Sequence, residues 1–313
     1  MKITVIGAGA MGSLFGGLLK ESGADVVLVD LWEEHVRRIS EQGLTLLDER
    51  QERNIRIPAR TSPQGLRPAD LLLVFVKSTQ TAQAAQTAAS ILHPEGLVLT
   101  LQNGMGNGEA LAAAIDPQSI LVGTTAHGAH VLGPGCIRHA GQGETVIGPW
   151  RMDQAGLRKA GEVAAILNAA GIRTRSSEHV LENLWDKLLI NVGINAITAL
   201  TGIKNGRIPA IEAAQQLAGR AVDEAAAVAA SLGIRVRPDP AGHVFEVARS
   251  TAGNRSSMGQ DVDRRRKTEI EAINGYVLAQ AAKTGDPVPV NQTLTALIQT
   301  LESSWQEPAV REE

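Results

Sequence analysis

Gly7-Ala8-Gly9-Ala10-Met11-Gly12 follows a short β-branched run, Lys2 to Ile6, with no intervening loop. Few features constrain a chain more. A glycine cluster between a strand and a helix fits a tight turn that returns the chain along the strand it has just left. The residues after it agree with this. Met11, Leu14, Phe15, Leu18 and Leu19 recur at helical spacing, and Gly23 stops the pattern. A second apolar run, Val26 to Val29, then ends at Asp30. Strand, helix and strand within 30 residues make a βαβ unit, which implies a parallel sheet covered on both faces.

In such a turn each glycine has a separate mechanical task. Gly7 permits the sharp reversal, Gly9 lets backbone approach a pyrophosphate, and Gly12 lets the helix lie close to its strand. Ala8, Ala10 and Met11 supply the backbone between them. A pyrophosphate resting there meets the free N–H groups and the positive end of the helix dipole. Asp30 comes 18 residues after Gly12. At the end of the second strand a carboxylate accepts bonds from ribose hydroxyls and repels a 2′-phosphate, which favours NAD(H) over NADP(H). The competing reading of Asp30 is a cap on the next helix. Lys77, directly after the apolar run 71–76, reaches toward the adenosine end and partly offsets the preference, so NADP(H) stays open as the alternative.

Leu71 to Val76 and Leu97 to Leu101 are continuous apolar runs, as expected of buried strands, with a crossover helix over 80–92 between them. The segments 121–125, 136–139 and 145–147 read as an antiparallel appendage closing the sheet. Beyond residue 176 strand-like runs give way to helical patterns at 178–200, 208–232, 257–284 and 291–303. The expected organisation is a Rossmann-type α/β domain over 1–176 and an all-helical catalytic domain over 177–313, with the active site in the cleft they form.

Composition excludes several function classes. With 30 Lys and Arg against 33 Asp and Glu, the net charge of −3 offers no nucleic-acid footprint and no membrane-surface field. The basic run Arg264 to Lys267 lies among Asp261, Asp263 and Glu269 and reads as a solvated face. Cys136 is the single cysteine, so neither a disulfide framework nor a thiolate cluster is available, in keeping with a cytoplasmic protein. His127, His130 and His139 lack carboxylate or thiolate neighbours at ligand spacing, so no metal is expected.

The chemistry is expected further along. Lys187, Asn191 and Asn195 recur every four residues in an otherwise apolar helical run. Asparagine is a poor choice for a solvent stripe because it competes for backbone hydrogen bonds. A polar lining for a small-molecule site explains the stripe better. Hydride reduction of a ketone builds negative charge on its oxygen, which calls for a proton donor and oriented hydrogen bonds. A partly desolvated lysine can be both donor and stabiliser.

The chain resembles the ketopantoate reductase family over essentially its whole length. The carriers are Gly7 to Gly12, Val76-Lys77, Gln102-Asn103-Gly104-Met105-Gly106, Gly123-Thr124-Thr125, Leu184-Trp185-Asp186-Lys187-Leu188, Asn191, Asn195, Asn205-Gly206, Ser256-Ser257-Met258, Thr268-Glu269-Ile270 and Ile273-Asn274-Gly275. The resemblance implies reduction of 2-dehydropantoate to (R)-pantoate in pantothenate supply. It implies Lys187 as proton donor, Glu269 as its partner, and Asn191 and Asn195 on the substrate hydroxyl. Ser257 falls to the substrate carboxylate and Asn103 to a place touching both cofactor and substrate. Periodicity alone leaves Glu269 and Glu271 equivalent, and Ser257 fits a helix N-cap as well as a carboxylate ligand. One departure stands out: Asp30-Leu31-Trp32 occupies a place where NADP-dependent members carry a basic residue. Some relatives with an acid there are NAD-dependent D-2-hydroxyacid dehydrogenases of bulky branched or aromatic 2-oxoacids, which is the first rival reading. A catalytically silent dinucleotide-binding sensor is the second. The expected partner is a small 2-oxoacid, with neither nucleic acid nor membrane, and a homodimer is compatible with the pattern.

Overall fold

The computed structural model describes residues 1–305; residues 306–313, the end of the expected helical domain, lie outside them. The chain divides into two compact units: residues 1–102 with 106–180, and residues 103–105 with 181 onward.

The first unit begins β1 (Lys2–Ile6), α1 (Ala10–Glu21), β2 (Asp25–Val29), α2 (Glu33–Gln42), β3 (Leu44–Leu47), β4 (Glu52–Ile55) and β5 (Ala59–Arg60). It continues β6 (Ala69–Val74), α3 (Thr81–Ile91), β7 (Leu92–Thr100), α4 (Asn107–Ala112), β8 (Ile120–Thr125), β9 (Gly128–Gly133), β10 (Cys136–Gly141), β11 (Thr145–Pro149), α5 (Gln154–Ala169) and β12 (Thr174–Ser176). Eight strands form one sheet in the order β12-β11-β8-β7-β6-β1-β2-β5. All its pairings are parallel except β11 with β8. The chain winds from β1 outward through β2, then returns to β6 on the other side. Gly7 therefore leaves β1 where the winding reverses, the place where open α/β sheets bind ligands.

The expected appendage proves to be two different things. β8 and β11 extend the main sheet, whereas β10 joins a second sheet, β4-β3-β10-β9, pairing parallel with β3 and antiparallel with β9. The residues of α1 explain why that second sheet exists. A Cβ on Gly17 would come within 3.1 Å of Ile55 and 3.2 Å of Leu44, while a Cβ on Gly16 would press on Leu28 of the main sheet. The helix is apolar on opposite sides because each side faces a sheet, and bare glycines let both approach. Phe15, Leu14 and Leu19 are fully buried in this sandwich.

The second unit contains α6 (Val180–Thr201), α7 (Glu212–Ser231), α8 (Pro240–Ser250), α9 (Ser257–Asp263), α10 (Asn274–Thr284) and α11 (Pro289–Ser304). The alanine-rich α7 buries Ala218, Ala221, Val222, Ala225, Val228 and Ala229. Gly193 of α6 sits against Val222 and Val244, where a Cβ would stand 2.9 and 2.8 Å away. The helix expected over 257–284 is broken. Asp263 ends α9, and Arg265 takes a left-handed φ of +49°. Arg265 N–H then bonds Val262 O and Arg266 N–H bonds Asp261 O, closing a Schellman turn. The exposed run Arg264 to Lys267 forms this turn. That break frees residues 268–273 to fold as an irregular strap carrying Glu269. Among the described residues, no helix is long and apolar enough to cross a membrane.

Candidate active site

The glycine-rich turn satisfies the demands read from the sequence. Gly7 has φ +92°, and a Cβ there would lie 2.6 Å from the Val76 amide nitrogen. Gly12 packs onto the Gly7 carbonyl, 3.2 Å from Val5 Cγ1 at its would-be Cβ, whereas Gly9 has nothing within 4 Å. That open space at Gly9, the N-cap of α1, adjoins helix amides that no side chain caps. A phosphate group fits there on grounds of room and of donors. Ala10 and Met11 begin α1 beside it, both partly exposed.

Asp30 reaches back into the turn. Its Oδ2 accepts the Ala8 N–H at 2.6 Å and its Oδ1 accepts the Trp32 N–H at 2.8 Å. The N-cap of α2 is Trp32 itself, so the carboxylate bridges the β2–α2 loop and the glycine turn rather than capping the helix. Lys77 is exposed beyond β6, just before a short 3-10 turn.

In the helical unit one strap, residues 268–273, lies near Lys187 and near the stretch that carries Asn103. Lys187 on α6 is partly buried, and loss of water lowers its pKa to about 8, a fall that the nearby Glu269 carboxylate opposes. Glu269 is 6% exposed, so its charge acts through little solvent. The choice between Glu269 and Glu271, open in the sequence, falls to Glu269; Glu271 is exposed and accepts from Gln299 at 2.5 Å. Residues 103–105, although they follow β7 in the chain, pack with this unit. Met105 N–H donates to Ala272 O at 2.7 Å, and Gly104, at φ +77°, leaves room for Ala272. Asn103 is thereby held two residues from a bond to the strap that carries Glu269.

Asn195 is buried, and its Nδ2 has no hydrogen-bond partner among the described residues. A donor left in that state invites a ligand acceptor, because an unpaired buried polar group is costly. Asn191 stands one turn earlier, partly exposed. Ser257 is exposed at the first position of α9, and the capping task falls to its neighbour: Ser256 Oγ accepts from Gly259 N–H at 3.0 Å and from Thr198 Oγ1 at 2.6 Å. The cap reading of Ser257 therefore belongs to Ser256.

Two polar clusters escaped the sequence reading. Gln102 Nε2 donates to Val76 O at 2.7 Å and to Thr81 Oγ1 at 2.8 Å, and Thr81 Oγ1 donates to Asn107 Oδ1 at 2.8 Å, which ties together the ends of β6 and β7 and the starts of α3 and α4. A glutamine ending an apolar strand was the available signal. The other cluster is Ser13 with His35, neither of which carries a motif. Among the histidines, His127 Nδ1 stands 2.9 Å from His139 Nε2. Burial first, and then the His139 charge, push His127 down to about 4, so it is neutral at ordinary pH. Among the described residues, no group of three or more potential metal ligands gathers.

Residues 3–152 match the family described as ketopantoate reductase PanE/ApbA, and residues 179–302 match its C-terminal domain. A 2-dehydropantoate 2-reductase of Halobacterium salinarum is 38% identical over 299 residues, covering 95% of this chain and 98% of that one. One from Pyrococcus abyssi is 35% identical, covering 97% and 98%. Among solved structures, D-mandelate dehydrogenase with NADH and anilino(oxo)acetate superposes at TM-score 0.93 with 29% identity, covering 98% of this chain and all of that one. A PanE/ApbA family ketopantoate reductase from Ralstonia eutropha superposes at 0.91 with 33% identity, with coverage of 98% and 100%.

Proposed function

The chain belongs to the ketopantoate reductase family of oxidoreductases, and from that premise we propose that it reduces 2-dehydropantoate to (R)-pantoate, the reductive step of pantothenate supply. The observation that carries this reading is Lys187, whose pKa of about 8 matches a group that must give up a proton near neutrality. A reduced nicotinamide dinucleotide, when bound, supplies the hydride. The chain's residues do the rest. Lys187 Nζ donates the proton to the 2-oxo oxygen as charge develops on it, and Glu269 keeps that lysine protonated enough to do so. Asn191 and the unpartnered Asn195 amide hold the substrate hydroxyl, Ser257 takes its carboxylate, and Asn103 is shared by substrate and cofactor. Gly7 to Gly12 receive the pyrophosphate, Asp30 the adenosine ribose, and Lys77 the adenosine end.

A second reading has its own support. The likeness to a D-mandelate dehydrogenase whose structure holds NADH, together with an acid, Asp30, beside the glycine turn, favours an NAD-dependent D-2-hydroxyacid dehydrogenase of bulkier 2-oxoacids. Steady-state rates with ketopantoate, 2-oxoisovalerate and phenylglyoxylate, each with NADH and NADPH, separate the two. The first reading expects the highest kcat/KM with ketopantoate. A higher value with phenylglyoxylate overturns it in favour of the second. In either case Lys187→Ala is expected to lower turnover by about a hundredfold or more, and undiminished turnover removes Lys187 from the mechanism.

A further inference from the structure

The peptide joining Ala8 to Gly9 is held at its carbonyl by a chain of side chains that no motif contains. Ser13 Oγ donates to Ala8 O at 2.6 Å. His35 Nε2 lies 3.2 Å from that same Oγ, and His35 Nδ1 accepts the Gly135 N–H at 2.9 Å. Directions follow from the donors. Gly135 N–H can only donate, so Nδ1 carries the lone pair and Nε2 carries the hydrogen. Nε2–H therefore donates to Ser13 Oγ, whose single hydrogen is spent on Ala8. Both side chains are fully buried, and the His35 ring is stacked on Trp32 at 4.7 Å, with 11° between their planes. Burial lowers the pKa of His35, opposed by the charge of Asp30 and the Ala8 carbonyl, which favours the neutral ring that the relay needs.

A peptide unit is planar and trans, so its C=O and N–H point in opposite directions. Fixing the Ala8 carbonyl therefore fixes where the Gly9 N–H points. On the other side of the same residue, Asp30 Oδ2 holds the Ala8 N–H. Ala8 is thus bonded at both its amide and its carbonyl by side chains from the β2–α2 stretch, one directly and one through Ser13. Gly9, next in the chain, borders the open space of the turn.

We propose that Ser13 and His35 are positioning residues for the dinucleotide, aiming the Gly9 amide at the pyrophosphate, and that Gly135 in the β9–β10 turn keys the relay in place. This rests on the reading of the glycine turn as a dinucleotide site. The test is NADH and ADP-ribose binding to the purified, unliganded protein, followed by fluorescence and calorimetry, with the melting midpoint recorded for each variant. Ser13→Ala removes one oxygen and is expected to weaken both ligands by about tenfold, the order of one lost hydrogen bond. Its KM for the 2-oxoacid should stay unchanged. His35→Leu should match Ser13→Ala, and the double variant should be no weaker than either, because the two act in series. His35→Gln keeps an amide donor for Ser13 and should recover most of the affinity, whereas a merely structural role predicts no such rescue. If wild-type protein binds NADH and Ser13→Ala binds it equally well, the proposal is overturned while the dinucleotide reading stands. If wild-type protein binds neither NADH nor NADPH, the dinucleotide reading fails and takes the proposal with it.

Discussion

At Lys187, desolvation and the Glu269 charge oppose each other in a way that leaves a signature in pH. Desolvation lowers the lysine pKa to about 8 and Glu269 raises it. With Lys187 as the proposed proton donor, reduction needs the protonated lysine, so its rate should fall as pH rises through about 8. Glu269→Gln removes the raising influence, and the fall should then occur at lower pH. A midpoint that stays put or moves upward in the pH–rate profile would exclude the pairing. Stability runs the other way. The folded-state pKa lies below the ordinary 10.5, so between about 8 and 10.5 the unfolded chain binds the proton more readily. Over that window the contribution of Lys187 to stability rises with pH. At Asp30 a single carboxylate holds the Ala8 amide of the turn, and the proposed reading gives it the ribose as well. Asp30→Ala should cost NADH more affinity than NADPH, since it also lifts repulsion of a 2′-phosphate. Equal or sharper discrimination by the variant in binding titrations counts against Asp30 as the ribose reader.

Two loops divide the work of glycine differently at the level of elements. In the β1–α1 turn, Gly9 has open space where a side chain would stand. In the loop after β7, Gly104 is left-handed, and a Cβ would lie 2.6 Å from Ala272 Cβ and 2.7 Å from its carbonyl oxygen. The same substitution should therefore fail in opposite ways. Gly9→Ala should leave the melting midpoint of unliganded protein near its original value and weaken NADH. Gly104→Ala should cost roughly 1–3 kcal/mol of stability through strain and a displaced Met105–Ala272 bond, measured by denaturant titration. A reversal of that pattern would mean that the two loops have been assigned the wrong tasks. The broken helix at 264–273 belongs at this scale too. Its apolar periodicity continues on both sides of the break, so pattern alone reads one helix. The Schellman turn at left-handed Arg265 ends α9 instead.

For the molecule as a whole, the division into two units sets an expectation for ligand-linked stability. The glycine turn, Asp30, Ser13 and His35 lie in the first unit, while Lys187, Asn191, Asn195, Ser257, Glu269 and Asn103 lie in the second. NADH at a hundred times its Kd should stabilise by about 2.7 kcal/mol, since it binds only folded protein. Calorimetry should show that gain in the transition of the first unit. A scan in which NADH raises no transition would contradict a dinucleotide site there.

The β1-α1-β2 core, the glycine turn and the polar stripe on α6 were legible in the sequence because each rests on short-range periodicity or on one spacing that a single element enforces. Asp30 was legible for the same reason, as the residue that directly follows β2. The rest depended on residues far apart in the chain. The second sheet arises because both sides of α1 need covering. The stretch that carries Asn103 joins the helical unit through the bond from Met105 N–H to Ala272 O, and Ser256 takes the cap because Thr198 reaches it from 58 residues away. His35 meets Gly135 across 100 residues. Local pattern determined which elements form and which residues could do chemistry. Long-range packing, whose partners leave no mark on the sequence around them, decided which polar atoms are held, which are left to a ligand, and what Lys187 pays in desolvation to stay ready.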